Sequence, residues 1–265
     1  MVLRPHSPHA ALSLLVLLLV SLALATPIVE REGHATSIAV AASHGASQTA
    51  FKAQIDPKKD KKVPIRLAVM SRCPDAELCE SVFDRVLDKV GPLVDIKLLY
   101  IGELDTKDGK VTCKHGPSEC TGNIQQLCAE KHWKVVNGSD NPWATWWNFV
   151  QCQNYNGLSR IGTDRLAQTC ASVVGKRWSG DVEHCAISSE GRQLLRDSVQ
   201  VTKTLQLVKS CSIVIDGKLV CVRDARWIDC DEGHEVGDFV NLVNKAWKRL
   251  NEREESSDSA LEDRF

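Results

Sequence analysis

An odd number of cysteines behind an apolar leader constrains this chain more than any other feature of its sequence. The leader opens with Arg4 and His6, runs apolar from Ala10 to Ala25, and exits through Ala23-Leu24-Ala25 before Thr26-Pro27. A basic head, a short apolar stretch and a small-residue exit read as a secretory signal peptide over residues 1–25. The apolar run falls short of the ~20 residues that cross a bilayer, so cleavage leaves no membrane segment. All eleven cysteines lie beyond it: Cys73, Cys79, Cys113, Cys120, Cys128, Cys152, Cys170, Cys185, Cys211, Cys221 and Cys230. An oxidising route and many thiols together call for disulfides. Eleven leaves at least one thiol free, transiently bonded or paired between chains.

The rest of the chain divides by composition. Residues 26–62 are rich in Ala, Ser and His and end in Pro57-Lys58-Lys59-Asp60-Lys61-Lys62, with no apolar period; they are expected to be a disordered linker. Residues 251–265 are expected to be a disordered acidic tail. Between them, residues 63–250 carry the folded pattern. Ile65 to Met70 reads as a buried strand. Leu78, Val82, Phe83, Val86, Leu87 and Val90 follow at helical spacing, and Val94 to Ile101 reads as a second strand. Strand, helix and returning strand make a βαβ unit. Near the other end, Asp216-Gly217 separates Ser212-Ile213-Val214-Ile215 from Lys218-Leu219-Val220-Cys221, a strong hairpin signal. A two-residue turn there sets Ser212 opposite Cys221, and points Cys221 toward Cys230 or a cysteine of the middle segment rather than Cys211. A helical period from Phe239 to Leu250 closes the domain. The order βαβ, long middle, ββα is that of an α/β thioredoxin-like fold with a cysteine-rich, mostly helical insertion at about residues 103–191. Six of the eleven cysteines fall in that insertion and are expected to be structural. Trp143, Trp146 and Trp147 are expected in its core.

Two clusters could carry chemistry. Cys73 sits where the first strand gives way to a helix. Unpaired N–H groups there favour an anion, and Arg72 adds positive charge; both promote a thiolate. Three residues on, where a resolving thiol would stand, is Ala76. The next sulfur is Cys79. Six residues of intact helix rise ~9 Å, beyond the ~7 Å Cα separation that a disulfide tolerates. Cys73 and Cys79 can therefore meet only if the helix starts late. The second cluster is Cys113-Lys114-His115-Gly116-Pro117-Ser118-Glu119-Cys120, then Asn123 and Cys128. Zinc held by Cys113, His115, Cys120 and Cys128 lacks the usual paired spacing, and disulfides are the better reading. His115 is either a base for a thiol or a turn residue bonded to backbone. Asn137-Gly138-Ser139 is an N-glycosylation sequon at Asn137. The near-neutral net charge of −1 gives no basic patch for nucleic acid.

The pattern C-x-H-G-x2-E-C-x2-N-x4-C, spanning Cys113, His115, Gly116, Glu119, Cys120, Asn123 and Cys128, resembles the signature of the gamma-interferon-inducible lysosomal thiol reductases. The similarity continues through Phe149-Val150-Gln151-Cys152, Cys170 and His184-Cys185-Ala186. It implies a thioredoxin-like fold with a disulfide-linked helical insertion, and reduction of protein disulfides in acidic, lysosome-like compartments. The family's C-x-x-C motif keeps only its first cysteine, at Cys73; the second falls on Ala76. The proline that such folds place before the third strand falls on Cys211, which sets a further thiol on the substrate side of the site.

The resulting expectation is a lumenal or secreted thiol-disulfide oxidoreductase, in a lysosome or vacuole or outside the cell. Cys73 attacks, and Cys79, Cys211 or an external thiol reductant resolves. Its partners are disulfide-containing proteins, with no organic cofactor and no metal. The alternative is a non-catalytic, disulfide-stabilised binding or structural protein on a reductase scaffold.

Overall fold

The structure, a computed structural model, describes residues 60–135 and 139–262. The signal peptide, almost all of the linker and the Asn137 sequon lie outside the described residues. Strand β1 (Val63–Val69) alternates fully and partly buried residues, then ends in a buried run. Helix α1 (Pro74–Val90) follows; its Ala76, Cys79, Val82, Phe83, Val86, Leu87 and Val90 are buried along one stripe. Gly91–Leu93 makes a single 3₁₀ turn into β2 (Val94–Tyr100). β1 and β2 pair in parallel from Val63↔Val94 to Val69↔Tyr100, which closes the expected βαβ unit.

The long middle begins with a small hairpin, β3 (Glu103–Leu104) and β4 (Val111–Thr112). Helices α2 (Pro117–Trp133), α3 (Ala144–Tyr155), α4 (Asp164–Val173), α5 (Asp181–Ile187) and α6 (Ser189–Thr204) follow. Strands β5 (Ser212–Ile215), β6 (Lys218–Asp224) and β7 (Arg226–Ile228) and helix α7 (Val236–Glu262) complete the chain. The main sheet runs β2-β1-β5-β6-β7, with β5 antiparallel to β1 from Ile65↔Ile215 to Ala68↔Ser212. A parallel pair flanked by an antiparallel hairpin, with helices on its faces, is the thioredoxin-like arrangement. α1 and α7 adjoin each other, the rings of Phe83 and Phe239 lying 5.0 Å apart. The opposite side chain of β1, Ala68, packs with Leu99, Val214 and Leu207.

Two sequence expectations need correction here. Asp216 and Gly217 do form a tight turn, with φ of 48° and 76°, the doubly positive geometry of a type I′ hairpin. The register, however, shifts between Ile213 and Val214. Leu219 faces Val214 and Cys221 faces Ile213, leaving Val220 as the extra residue of a β-bulge. Ser212 therefore faces Val222 instead of Cys221. α7 also continues past Asn251 to Glu262, through most of the segment whose composition suggested a disordered tail. A run that includes Glu, Arg, Ala and Leu extends a preceding amphipathic helix at little cost in propensity.

The insertion holds itself together and is pinned to the core at a few points. Its six cysteines pair among themselves as Cys113–Cys120, Cys128–Cys185 and Cys152–Cys170. Trp143, Trp146 and Trp147 are buried as expected. Trp133, Phe149 and Trp178 make an aromatic group in which Phe149 and Trp178 stack at 5.8 Å. α3 reaches α1 through the Trp147 Nε1–H, which donates to Asp84 Oδ1 at 2.8 Å, and through the Asn154 amide, which donates to Glu80. Gly191, opening α6, lets it approach closely: a Cβ there would sit 2.5 Å from the Cys185 carbonyl oxygen and 3.3 Å from Cys128 Sγ. Among the described residues no helix is long and apolar enough to cross a membrane.

The cystines should differ in what they contribute. A cross-link constrains the unfolded chain more when its loop is longer. Cys128–Cys185 spans 57 residues and Cys113–Cys120 spans 7. Loop entropy then assigns the first about 4 kcal/mol and the second about 2 kcal/mol. Denaturant unfolding of the double alanine variants should show the larger loss for the Cys128/Cys185 pair. Equal losses would mean that local packing, not loop closure, sets the effect.

Candidate active site

The end of β1 delivers the chain into a tight turn. The Cys73 N–H donates to the Met70 carbonyl at 2.9 Å, and Cys73 becomes the N-cap of α1, with Pro74 opening the helix. Proline suits that position because its missing N–H has no helical partner there. The Cys73 side chain makes no capping bond. Its thiol instead donates to the Ser210 carbonyl at 3.9 Å, and the residue is 7% exposed. Cys73 is the one cysteine outside a disulfide among the described residues.

Because α1 starts at Pro74, the late-start condition for a Cys73–Cys79 bond is not met. The expected pairing is corrected: Cys79 is bonded to Cys211, with a Cα separation of 6.3 Å. Cys79 and Cys211 are fully buried. Cys211 lies just before β5 and exchanges two backbone hydrogen bonds with Arg223, of 2.9 and 2.8 Å; its peptide bond from Ser210 is cis. Ala76 occupies the resolving position as a buried methyl group. Cys221 pairs with Cys230, one of the two partners that the sequence left open.

The cluster from Cys113 to Cys128 turns out to be the support of this turn. Gly116, with φ of 87°, caps α2 and lets the chain double back, and Cys113–Cys120 closes the first helical turn. From there α2 aims two side chains at the Cys73 turn. The Ser71 N–H donates to Asn123 Oδ1 at 3.1 Å, and the Arg72 N–H donates to Glu119 Oε2 at 3.3 Å. The Ser71 hydroxyl reaches the Glu119 carbonyl at 3.3 Å. Glu119 is fully buried and also accepts from the His115 N–H at 3.1 Å and pairs with His115 Nδ1 at 2.5 Å. The His115 ring thus meets Glu119 through Nδ1 and not a backbone group. Neither Cys120 nor Cys128 is free to bind zinc, each being in a cystine.

Arg72 also departs from expectation. Its guanidinium donates to the Ile161 carbonyl at 3.0 and 2.6 Å and to the Ser159 carbonyl at 2.8 Å. It fastens the turn to the loop before α4 rather than offering its donors to Cys73. Gly122 and Gly162 make that closeness possible, since a Cβ on Gly122 would lie 2.4 Å from Ile161 Cγ2 and one on Gly162 2.0 Å from the Ser118 carbonyl oxygen. On the other side of the site, Arg223 meets Asp75 at 3.1 Å, and Asp75 accepts from the Ala225 N–H at 3.0 Å. Sequence reading missed this Asp75–Arg223 link, which joins α1 to β6, because no local pattern marks it.

With the site described, its relatives can be placed. Residues 64–174 match the model of the gamma interferon inducible lysosomal thiol reductase (GILT) family. GILT-like protein 1 of Drosophila melanogaster is 29% identical over 156 residues, covering 55% of this chain and 61% of that protein. A gamma-interferon-inducible lysosomal thiol reductase-like protein of Anopheles gambiae is 27% identical over 154 residues, covering 55% and 63%. The chain thus spans less than two thirds of these curated relatives. Among solved structures, a putative protein disulfide isomerase from Nitrosomonas europaea superposes with a TM-score of 0.48 at 10% identity, covering 72% of this chain and all of that one. BdbD from Bacillus subtilis gives 0.47 at 11%, covering 70% and 88%. The GILT region contains β1, Cys73, α1, β2 and the whole α2 support; Cys211 lies outside it.

One buried acid lies next to the site. Glu80, the neighbour of Cys79, is 1% exposed; one oxygen accepts from Asn154, and Oε1 has no hydrogen-bond partner among the described residues. Burial pushes its pKa from 4.5 up to about 7, with Asn154 opposing and Glu77 adding to the shift. Below pH 4.5 the acid is neutral whether folded or unfolded, so it costs nothing. As pH rises toward 7 the unfolded chain ionises it and the folded chain does not, and stability falls by up to about 1.4 kcal/mol per pH unit. Glu80→Gln should flatten the stability profile between pH 5 and 7 by about 1 kcal/mol per unit. An unchanged slope in denaturant titrations would show that Glu80 is ionised in the folded protein.

Proposed function

We propose that this chain is a thiol-disulfide oxidoreductase that reduces protein disulfides through the Cys73 thiolate, working in the lumen of a lysosome or vacuole or outside the cell. The observation that carries the reading is the single thiol left out of the cystine framework. It stands at the N-cap of α1, on a turn that Glu119 and Asn123 hold in place. The GILT match over that same turn and its support agrees with it. In the reaction, Cys73 Sγ attacks one sulfur of a substrate disulfide; a Cys73–substrate bond forms, the substrate S–S bond breaks, and the other substrate sulfur leaves as a thiolate. A thiol then attacks the mixed disulfide, freeing the reduced substrate. With Ala76 in the resolving position, that thiol comes from elsewhere in the protein or from an external reductant. The leader, the cystines and the relatives' names support the secretory route.

A second reading rests on Ala76 and on Cys211, which is engaged with Cys79. On it, the chain is a non-catalytic binding or structural protein that keeps a reductase scaffold. Disulfide reduction of insulin with a thiol reductant, from pH 4 to 7, separates the two. The parent should be active and Cys73→Ser reduced to the reagent background. Equal turnover by both, or none by a well-folded parent, would favour the non-catalytic protein.

A further inference from the structure

Three sulfurs, not one, converge on the site. Cys73 Sγ touches the Ser210 carbonyl, the peptide group that leads into Cys211, and Cys211 is bonded to Cys79. Cys73 and Cys79 stand six residues apart on a helix that is regular from Pro74. That is ~9 Å along its axis, too far for a direct bond. Cys211, bonded to Cys79 and next in the chain after the Ser210 whose carbonyl Cys73 Sγ touches, is the sulfur that connects the two. Exposure ranks them as well. Cys79 and Cys211 are both 0% exposed and Cys73 is 7% exposed, so an external reagent meets Cys73 first.

Resting on the thiol-reductase reading above, we propose that Cys211 is the resolving thiol of this protein and that the Cys79–Cys211 bond is the oxidised end of a three-cysteine relay. The cycle starts with all three reduced. The Cys73 thiolate attacks the substrate disulfide, and one substrate thiolate departs. The Cys211 thiolate then attacks Cys73 Sγ; a Cys73–Cys211 bond forms and the second substrate thiolate departs. Finally the Cys79 thiolate attacks Cys211 Sγ, forming Cys79–Cys211 and returning Cys73 as a thiolate, the arrangement that the structure shows. Two electrons pass from Cys79 and Cys211 to the substrate. Reset runs inward through the same surface sulfur. Cys73 attacks Cys211 and releases Cys79; a small monothiol attacks Cys73 Sγ and releases Cys211; a second monothiol attacks the mixed disulfide, leaving as the oxidised dimer and freeing Cys73. The relay puts the resolving sulfur on the strand side of the site, where the missing C-x-x-C thiol would have stood on the helix.

The test uses phosphine-reduced protein and one equivalent of dithiobis(nitrobenzoate), an aromatic disulfide whose released thiolate is coloured. Release is counted above that of Cys73→Ser. The parent should release two thiolates per protein and keep no adduct by intact mass. Cys211→Ser should release one and retain the aromatic adduct on Cys73, with its lifetime lengthened at least 100-fold. Should Cys79→Ser fold well, its oxidised form should carry a mapped Cys73–Cys211 bond. A parent that releases one thiolate and keeps the adduct overturns the relay but leaves Cys73 as the nucleophile. A parent indistinguishable from Cys73→Ser overturns both. Free Cys73 and Cys211 in oxidised Cys79→Ser also overturns the relay.

Discussion

The fully buried carboxylate of Glu119 joins the inserted helices to the sheet. It accepts from the Arg72 and His115 backbone N–H groups and pairs with the His115 ring. A carboxylate removed from water is costly unless its oxygens are hydrogen-bonded, so the turn before Cys73 and the start of α2 are required to meet. Asn123, one helical turn further along α2, repeats the connection to Ser71. Much else follows from this contact. It anchors the turn through which β1 hands over to α1, and α1, opening at Pro74, keeps Cys73 away from Cys79.

The cystines divide the labour in space. Three staple the insertion to itself, one links β6 to the segment after β7, and one joins α1 to the residue before β5. Only the last lies beside the free thiol. The other four cystines staple the framework, while the Cys79–Cys211 bond runs through the segment whose Ser210 carbonyl Cys73 Sγ touches. A buried acid next to Cys79 adds a bias: Glu80 is more comfortable in acid than near neutrality. Glu80 by itself favours the folded chain at acidic pH.

Much of this architecture was legible in the residues. Alternation in β1, helical spacing in α1 and Asp216-Gly217 each impose a local geometry, and together they give the thioredoxin-like order. The cysteine cluster from Cys113 to Cys128 was legible as a signature, though not its purpose, because its hydrogen bonds go to Ser71 and Arg72, which are distant in sequence. The bulge at Val220 was not legible: a one-residue register shift depends on how β6 meets β5, and alternation alone does not encode it. The Cys79–Cys211 pairing was likewise hidden, since it follows from the crossing of α1 and β5 and not from spacing along the chain. Arg72 misled for a similar reason. Its charge was visible, but the carbonyls of Ser159 and Ile161 that engage it come from a loop that folds in from the insertion.

A disulfide map tests the central claim, that a lone thiol at Cys73 stands beside a Cys79–Cys211 bond. The protein would be unfolded at acidic pH in the presence of an alkylating reagent that blocks exchange, then digested without reduction. The account predicts one alkylated cysteine, Cys73, and a peptide joining Cys79 to Cys211. A Cys73–Cys79 bond, or a resting protein in which Cys73 is bonded and Cys79 or Cys211 is alkylated, would contradict it.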